Sequence, residues 1–186
     1  GYKENLSSHL ERPYDFVYNN VSPLLSFLNA LKGSKVKSLI YLSSTIVDYV
    51  NLDEEVTDGY VLGKYINELL LKSFAKEHNF DIKIIRSAAI YGPGDNFNPN
   101  KANLIPALID RISSSEQELI IWGKGKREMQ FIYLDDLIAN LIESVNKKDN
   151  LFSVGNQEIV TVNELAQLIT KAMNKELKFK HDLNKP

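Results

Sequence analysis

The order of the apolar segments restricts the fold of this chain more than any other feature of its sequence. Apolar residues at spacings of three and four predict an amphipathic helix from Pro13 to about Leu31, which Gly33 ends. The apolar run from Val36 to Leu42 predicts a strand that is buried on both faces. A second helix begins near Tyr60, and the segment DIKIIRSAAIYG predicts a second core strand. This order predicts an α/β fold with a doubly wound parallel sheet, because parallel strands are joined by right-handed helical crossovers.

The second half of the chain alternates shorter elements. After the Gly92-Pro93-Gly94 break, the pattern predicts a helix at residues 104–112, strands at ELIIW and MQFIYL, a helix at DDLIANLIESVN, a strand at LFSVG and a helix at TVNELAQLITKAM. In the helix near Tyr60 we expect a buried stripe, formed by Ile66, Leu69, Leu70 and Phe74.

Composition excludes several classes of function. The 186 residues are 44% hydrophobic, which is enough for a full core, and the formal net charge of -2 argues against nucleic-acid or membrane partners. The sequence has no cysteine, and its three histidines have no ligand spacing, so we expect no metal site. No apolar run reaches the roughly 18 residues of a membrane span, and these features together predict a cytoplasmic protein.

Polar residues follow the predicted strands at their carboxyl ends, where parallel sheets bind ligands. Ser43, Ser44 and Thr45 follow the first strand, and Tyr60 and Lys64 lie one turn apart at the start of the next helix. A phenol can move a proton to or from a substrate oxygen, and a neighbouring ammonium and a helix N-terminus would both lower its pKa. The alternative is that Tyr60 and Lys64 are solvated surface residues, since a Tyr-x-x-x-Lys pair arises easily by chance.

The neighbouring motifs favour the catalytic interpretation. In order, the chain contains YLSSTIV, YVLGK, IIRSAAIYGPGDNFNP, NLIPALI and IWGKGKREMQFIYLDDLI. This set resembles the extended short-chain dehydrogenases, the NAD-dependent epimerase/dehydratase family that acts on nucleotide sugars. The resemblance implies an enzyme that uses NAD or NADP for hydride transfer at sugar C4 through a keto intermediate. It also implies a homodimer and, within the family, favours a GDP-sugar as substrate.

The resemblance also implies roles for individual residues. Ser43, Tyr60 and Lys64 would be catalytic, with Ser44 as the alternative to Ser43. The cofactor contacts would be Tyr60, Lys64, Leu42, Ser87 and Ala88. The substrate contacts would be Ser43, Ser44, Thr45, Asn103 and Arg127.

Two substitutions limit the reaction that the resemblance implies. Thr45 and Asn103 stand where some family members carry a cysteine and a histidine that move protons at ring carbons. Neither a hydroxyl nor an amide is a suitable base for a C–H proton near neutral pH. We therefore expect chemistry at C4 without inversion at C3 or C5.

The family's glycine-rich phosphate-binding motif is absent from this sequence, whose glycines cluster only as GPG and GKG. We therefore expect a fragment that is inactive without the missing cofactor-binding half. Residues 1–90 would form the C-terminal part of the NAD(P)-binding Rossmann domain, and residues 91–186 mainly a small mixed α/β substrate-binding lobe with return elements to the sheet. The alternative hypothesis is a non-catalytic NAD(P)-binding or interaction module. The short loop between Ser43 and Tyr60 favours this hypothesis.

Overall fold

The computed structural model describes residues 6–51, 57–98 and 101–184, so part of the loop before Tyr60 lies outside the described residues. The chain divides into two compact units. The first comprises Gly1–Ala88 and Asp135–Val154, and the second comprises Ala89–Leu134 and Gly155–Pro186. Among the helices of the described residues, none is both long enough and apolar enough to cross a membrane.

The first unit is built on a three-stranded parallel sheet. Its elements are α1 (Leu6–Glu11), α2 (Pro13–Leu31), β1 (Ser38–Ser44), a 3₁₀-helix (Thr45–Tyr49), α3 (Gly59–His78), β2 (Asp81–Ser87), most of α5 (Leu134–Ser144) and β7 (Leu151–Val154). The strand order is β1-β2-β7, and the β1–β2 register places Ser44 opposite Ser87. The carboxyl ends of β1 and β2 therefore finish level with each other.

Helices α2 and α3 pack together over the sheet. Leucines of α2, Leu71 and Phe74 of α3, and Ile82 and Ile84 of β2 form one apolar cluster. The helices approach closely at two glycines of α3. A Cβ on Gly59 would lie 2.3 Å from the Pro13 carbonyl oxygen, and one on Gly63 would lie 3.2 Å from the Asn20 Cβ. The small residues on either side of Tyr60 are therefore required by the helix contact.

The buried face of α3 differs from the predicted stripe. Phe74 is buried as predicted, but Leu69 is 45% exposed. The buried face consists instead of Lys64, Asn67, Glu68 and Leu71. Hydrophobic periodicity missed this face because three of its residues are polar and are stabilised by partners distant in the sequence.

The second unit has its own core. Its elements are β3 (Ala89–Tyr91), α4 (Leu104–Ser114), β4 (Glu118–Trp122), β5 (Glu128–Met129), β6 (Phe131–Tyr133), β8 (Val160–Thr161), α6 (Val162–Ala172) and β9 (Lys178–Asp182). The strands pair as β3–β6, β4–β9 and β5–β8. Helices α4 and α6 bury Leu108, Ile112 and Leu165 against Leu119 and Ile121 of β4.

Two predicted strands are each divided in the structure. The segment DIKIIRSAAIYG forms β2 and β3, because the Ala88 N–H donates to the Val154 carbonyl while the Ala89 N–H donates to that of Gln130. The segment MQFIYL forms β5 and β6, with separate partners. Strand β9 was not predicted, because its sequence KFKHD is mostly charged and carries no apolar alternation.

Candidate active site

The carboxyl end of β1 and the first turns of α3 bring together the residues predicted to be catalytic. Asp58 caps α3, since its Oδ1 accepts hydrogen bonds from the Tyr60 N–H at 2.8 Å and the Val61 N–H at 3.1 Å. Tyr60 and Lys64 follow in the first two turns. Both candidate residues therefore lie on a helix start that is fixed by a charged cap.

The two serines at the end of β1 have different surroundings. Ser43 is buried, and its Oγ donates to the Glu68 Oε1 at 2.6 Å. The Ser44 side chain instead hydrogen-bonds to the Tyr60 hydroxyl. Successive side chains of a strand point to opposite faces, so only one of two adjacent serines can face Tyr60. The structure thus favours Ser44, the alternative in the sequence analysis, over Ser43 as the serine beside Tyr60, and the catalytic role of either serine stays a prediction.

The Lys64 ammonium lies between two tyrosine rings. Lys64 is buried, and its Nζ donates to the Leu42 carbonyl oxygen at 2.9 Å. The same nitrogen lies 5.2 Å from the ring centroid of Tyr41 and 5.9 Å from that of Tyr60, within the range of cation–π contacts. Leu42 thus contributes its carbonyl oxygen as an anchor for the lysine.

The pKa of Tyr60 moves in the direction opposite to the prediction. Burial is the largest cause and raises the pKa of Tyr60 to about 12, while Tyr41 and Asp58 add repulsion against a phenolate. The hydrogen bond from Ser44 acts in the opposite sense. The expectation of a lowered pKa was wrong for this state, because the loss of hydration outweighs the neighbouring positive charge.

This raised pKa predicts a pH-dependent stability. The pKa of a phenol is about 10 in an unfolded chain. The contribution of Tyr60 to the unfolding free energy is therefore fully present below that pH. It is lost as the pH rises toward 12, by up to about 3 kcal/mol of unfolding free energy. Urea titrations between pH 9 and 11 should show a shallower decline for Tyr60→Phe than for the wild type. The exposed Tyr49→Phe variant is the control, and an equal decline in all three would contradict the prediction.

A buried ionic cluster next to this site was missed by the sequence analysis. Arg86 of β2 donates from Nε to the Glu68 Oε1 at 2.9 Å and from Nη2 to the Glu68 Oε2 at 2.6 Å, and it also pairs with Asp48. Glu68 is 1% exposed, and it accepts the Ser43 hydroxyl as well. These contacts raise the pKa of Arg86 above its ordinary value, mainly through the Glu68 hydrogen bonds. The sequence offered one signal for this cluster. Lys64 and Glu68 follow Tyr60 at successive intervals of four residues, which places the three side chains on one face of the helix.

The remaining predicted contacts lie in different parts of the chain. Ser87 and Ala88 are buried at the end of β2, and the Ala88 N–H is bonded to Val154. Thr45 begins the 3₁₀-helix directly after Ser44. Asn103 precedes α4, and Arg127 is exposed before β5, both in the second unit. Their roles toward substrate and cofactor stay predictions.

The described residues contain no group of three histidine or acidic side chains that could hold a metal ion. The ammonium of Lys64 and the hydroxyls of Ser44 and Tyr60 offer hydrogen-bond donors at a strand end, and this donor set suits the ribose of a nicotinamide nucleotide.

The fold and this site define a class of protein, the Rossmann-type α/β proteins with a serine at the end of a strand and a tyrosine and a lysine at the start of the next helix. A family model described as the NAD dependent epimerase/dehydratase family matches residues 3–177. The chain belongs to this family. These matches confirm three predictions, namely the family, the α/β fold and a nicotinamide cofactor for that family.

Individual relatives agree with this assignment. The chain is 26% identical to the GDP-L-fucose synthase of Escherichia coli (strain K12), over 94% of this chain and 63% of that protein. It is 24% identical to the dTDP-4-dehydro-6-deoxy-D-allose reductase of Streptomyces bikiniensis, over 98% of this chain and 60% of that protein. It therefore spans about 60% of the length of these curated relatives.

The structure of UDP-glucose 4-epimerase from Thermotoga maritima has the same fold. It superposes with a TM-score of 0.81 at 23% identity, over 97% of this chain and 62% of that chain.

Proposed function

We propose that the protein is an NAD(P)-dependent nucleotide-sugar epimerase, dehydratase or reductase that acts by hydride transfer at sugar C4. The observation that carries this proposal is the contact between Ser44 and Tyr60 beside the buried Lys64 ammonium. Relatives named for GDP-, dTDP- and UDP-sugars support a nucleotide sugar as substrate, and a GDP-sugar is favoured by the E. coli relative.

Each residue of this site has a separate role. Ser44 donates a hydrogen bond that holds the C4 oxygen beside Tyr60, and the Tyr60 hydroxyl transfers a proton to or from that oxygen. Lys64 holds its ammonium near both tyrosines and stabilises negative charge on the Tyr60 oxygen. A bound nicotinamide supplies the acceptor or donor of the hydride.

The resting protonation state favours one direction of reaction. A phenol whose pKa is about 12 keeps its proton at neutral pH, so the proton is present for transfer, although the raised pKa makes the phenol a weaker acid. Reduction of a 4-keto sugar needs such a donor, because the oxygen gains a proton as C4 gains the hydride. The protonated phenol therefore suits reduction, whereas oxidation of a 4-hydroxy sugar requires Tyr60 to lose its proton first.

The rest of the assignment follows the resemblance. We propose that the first unit contributes the cofactor contacts of Tyr60, Lys64, Leu42, Ser87 and Ala88, and that Thr45, Asn103 and Arg127 bind the sugar or its diphosphate. The protein would work as a cytoplasmic homodimer.

The second candidate function is a non-catalytic NAD(P)-binding module. The same raised pKa of Tyr60 favours it, because a phenol that ionises with difficulty is a poor base. Incubating the full gene product with NAD(P)H and 4-keto nucleotide sugars, and with NAD(P) and their 4-hydroxy forms, separates the two functions. Substrate-dependent change in nicotinamide absorbance, or conversion of the sugar detected by chromatography, supports the enzyme, and binding without either change supports the module.

The two serines provide a matched test of the site. We expect Ser44→Ala to lower kcat by about 10²-fold, because the substrate oxygen loses its hydrogen-bond donor. We expect Ser43→Ala to leave kcat within about threefold and to lower the unfolding free energy by about 1–2 kcal/mol, because a buried Glu68 oxygen loses a donor. Steady-state kinetics and urea titration measure both effects. If Ser43→Ala lowers kcat by about 10²-fold and Ser44→Ala does not, Ser43 is the serine that holds the substrate oxygen.

A further inference from the structure

His9 of α1 covers the ring of Tyr60. His9 is 5% exposed, and its imidazole stacks on the Tyr60 ring with centroids 5.3 Å apart and an interplanar angle of 24°. The imidazole also contacts Phe16 of α2, with centroids 4.6 Å apart and a tilt of 57°. The Tyr60 ring is thus held on one side by a side chain that is itself wedged against α2.

His9 also approaches the cap of α3. Its Nδ1 lies 3.6 Å from the Asp58 Oδ1, the atom that accepts the Tyr60 and Val61 N–H groups. One imidazole therefore contacts both the side chain of Tyr60 and the carboxylate that fixes its backbone. Helix α1 makes these contacts to α2 and α3 although it is only six residues long.

We infer that His9 is a positioning residue for Tyr60, and that the imidazole ring acts by stacking rather than by its contact with Asp58. This inference rests on the proposed catalytic role of Tyr60. The stacked imidazole blocks rotation of the Tyr60 side chain about its Cα–Cβ bond, which would swing the whole ring aside and carry the hydroxyl away from Ser44.

The stacking contact and the polar contact can be separated by two substitutions. His9→Phe keeps an aromatic ring against Tyr60 and Phe16 but removes the nitrogen near Asp58. His9→Asn keeps a polar nitrogen at the position of Nδ1 but removes the ring. His9→Ala removes both, and together the three variants show which contact matters.

The first measurement does not depend on activity. Tetranitromethane nitrates accessible tyrosines, and mass spectrometry of the Tyr60 peptide gives the rate relative to the Tyr91 peptide in the same sample. We expect nitration of Tyr60 to rise at least about fivefold in His9→Asn and His9→Ala, because the ring face becomes exposed, and to stay within about twofold of wild type in His9→Phe.

The second measurement is steady-state kinetics of the full gene product. We expect His9→Asn and His9→Ala to lower kcat about tenfold with KM within about twofold, and His9→Phe to restore kcat, because a misplaced proton donor slows only the chemical step. A smaller folded fraction would also lower the apparent kcat at unchanged KM, so kcat is expressed per folded enzyme, with the folded fraction of each variant taken from a urea titration.

The outcomes distinguish the inference from the proposed function. If the wild type shows no turnover, the proposed function fails, and the nitration pattern alone decides whether His9 holds Tyr60. If the wild type turns over and His9→Asn matches it in both measurements, the inference is overturned. It is equally overturned if His9→Phe behaves like His9→Ala, because the contact with Asp58 would then be the important one.

Discussion

Replacing Tyr60 by phenylalanine should lower the turnover of the full gene product by at least about 10²-fold, the usual scale for loss of a general acid or base. Phenylalanine keeps the aromatic ring against His9 and below the Lys64 ammonium, but it has no proton to transfer. The fall should appear in kcat, with KM changed by less than about threefold, because the hydroxyl acts mainly in the chemical step. Nicotinamide absorbance in the presence of a nucleotide sugar measures both constants.

The control for this variant is another tyrosine of the same chain. Tyr49→Phe removes a hydroxyl from a side chain that is 84% exposed, and we expect its kinetics to match those of the wild type. Tyr60→Phe should fold normally, because the ring and its packing remain. Turnover near the wild-type value in Tyr60→Phe would show that another residue transfers the proton.

Replacing Arg86 by methionine should lower the unfolding free energy of the first unit by about 3–5 kcal/mol, because it leaves the Glu68 carboxylate buried without its cation. The side chain of Arg86 is 15% exposed and that of Glu68 is 1% exposed, so solvent cannot replace the lost partner. Hydrogen exchange at the Ile84 and Ile85 amides reports on this unit, since both residues lie in the central strand β2.

Two further variants show whether the unpaired charge causes this loss. Lys180→Met breaks the pair between Lys180 and Glu118, whose side chains are 63% and 42% exposed, and should cost no more than about 1 kcal/mol. Adding Glu68→Leu to Arg86→Met should recover part of the loss, because the buried charge is then removed. A loss in Arg86→Met as small as that in Lys180→Met would contradict the proposed role of the ion pair.

The ionic cluster also connects stability to the site. Arg86 joins Asp48 of the 3₁₀-helix to Glu68 of α3, and Glu68 in turn holds Ser43. Ser43 directly precedes Ser44, so the cluster fixes the strand end that presents Ser44 to Tyr60. We therefore expect Arg86→Met to lower turnover as well as stability.

Much of the fold could be predicted from local sequence patterns. The helices from Pro13 and near Tyr60, and the strand ELIIW, were predicted because their apolar residues repeat with the period of one element. The observed strand β1 begins and ends two residues later than the apolar run predicted. This difference places Ser43 and Ser44 inside the strand rather than after it.

The sequence predicts components for the candidate site but not their geometry. The Tyr60 and Lys64 pair is separated by one helical turn, so its proximity follows from helical geometry alone. The choice between Ser43 and Ser44 depends on which face of the strand meets α3, and a shift of one residue reverses that choice. No sequence spacing contains this information.

The sequence by itself determined the family and the α/β class and indicated candidate residues for the site, because motifs and apolar periodicity are local properties of the chain. Only the tertiary structure decided that Ser44 faces Tyr60, that His9 covers the Tyr60 ring and that Glu68 is buried against Arg86. It also decided that the pKa of Tyr60 is raised rather than lowered. The physical reason is that burial and ion pairing depend on residues from distant parts of the chain. For the pKa of Tyr60, desolvation by those residues outweighs the lowering effect of Lys64, which lies one helical turn away.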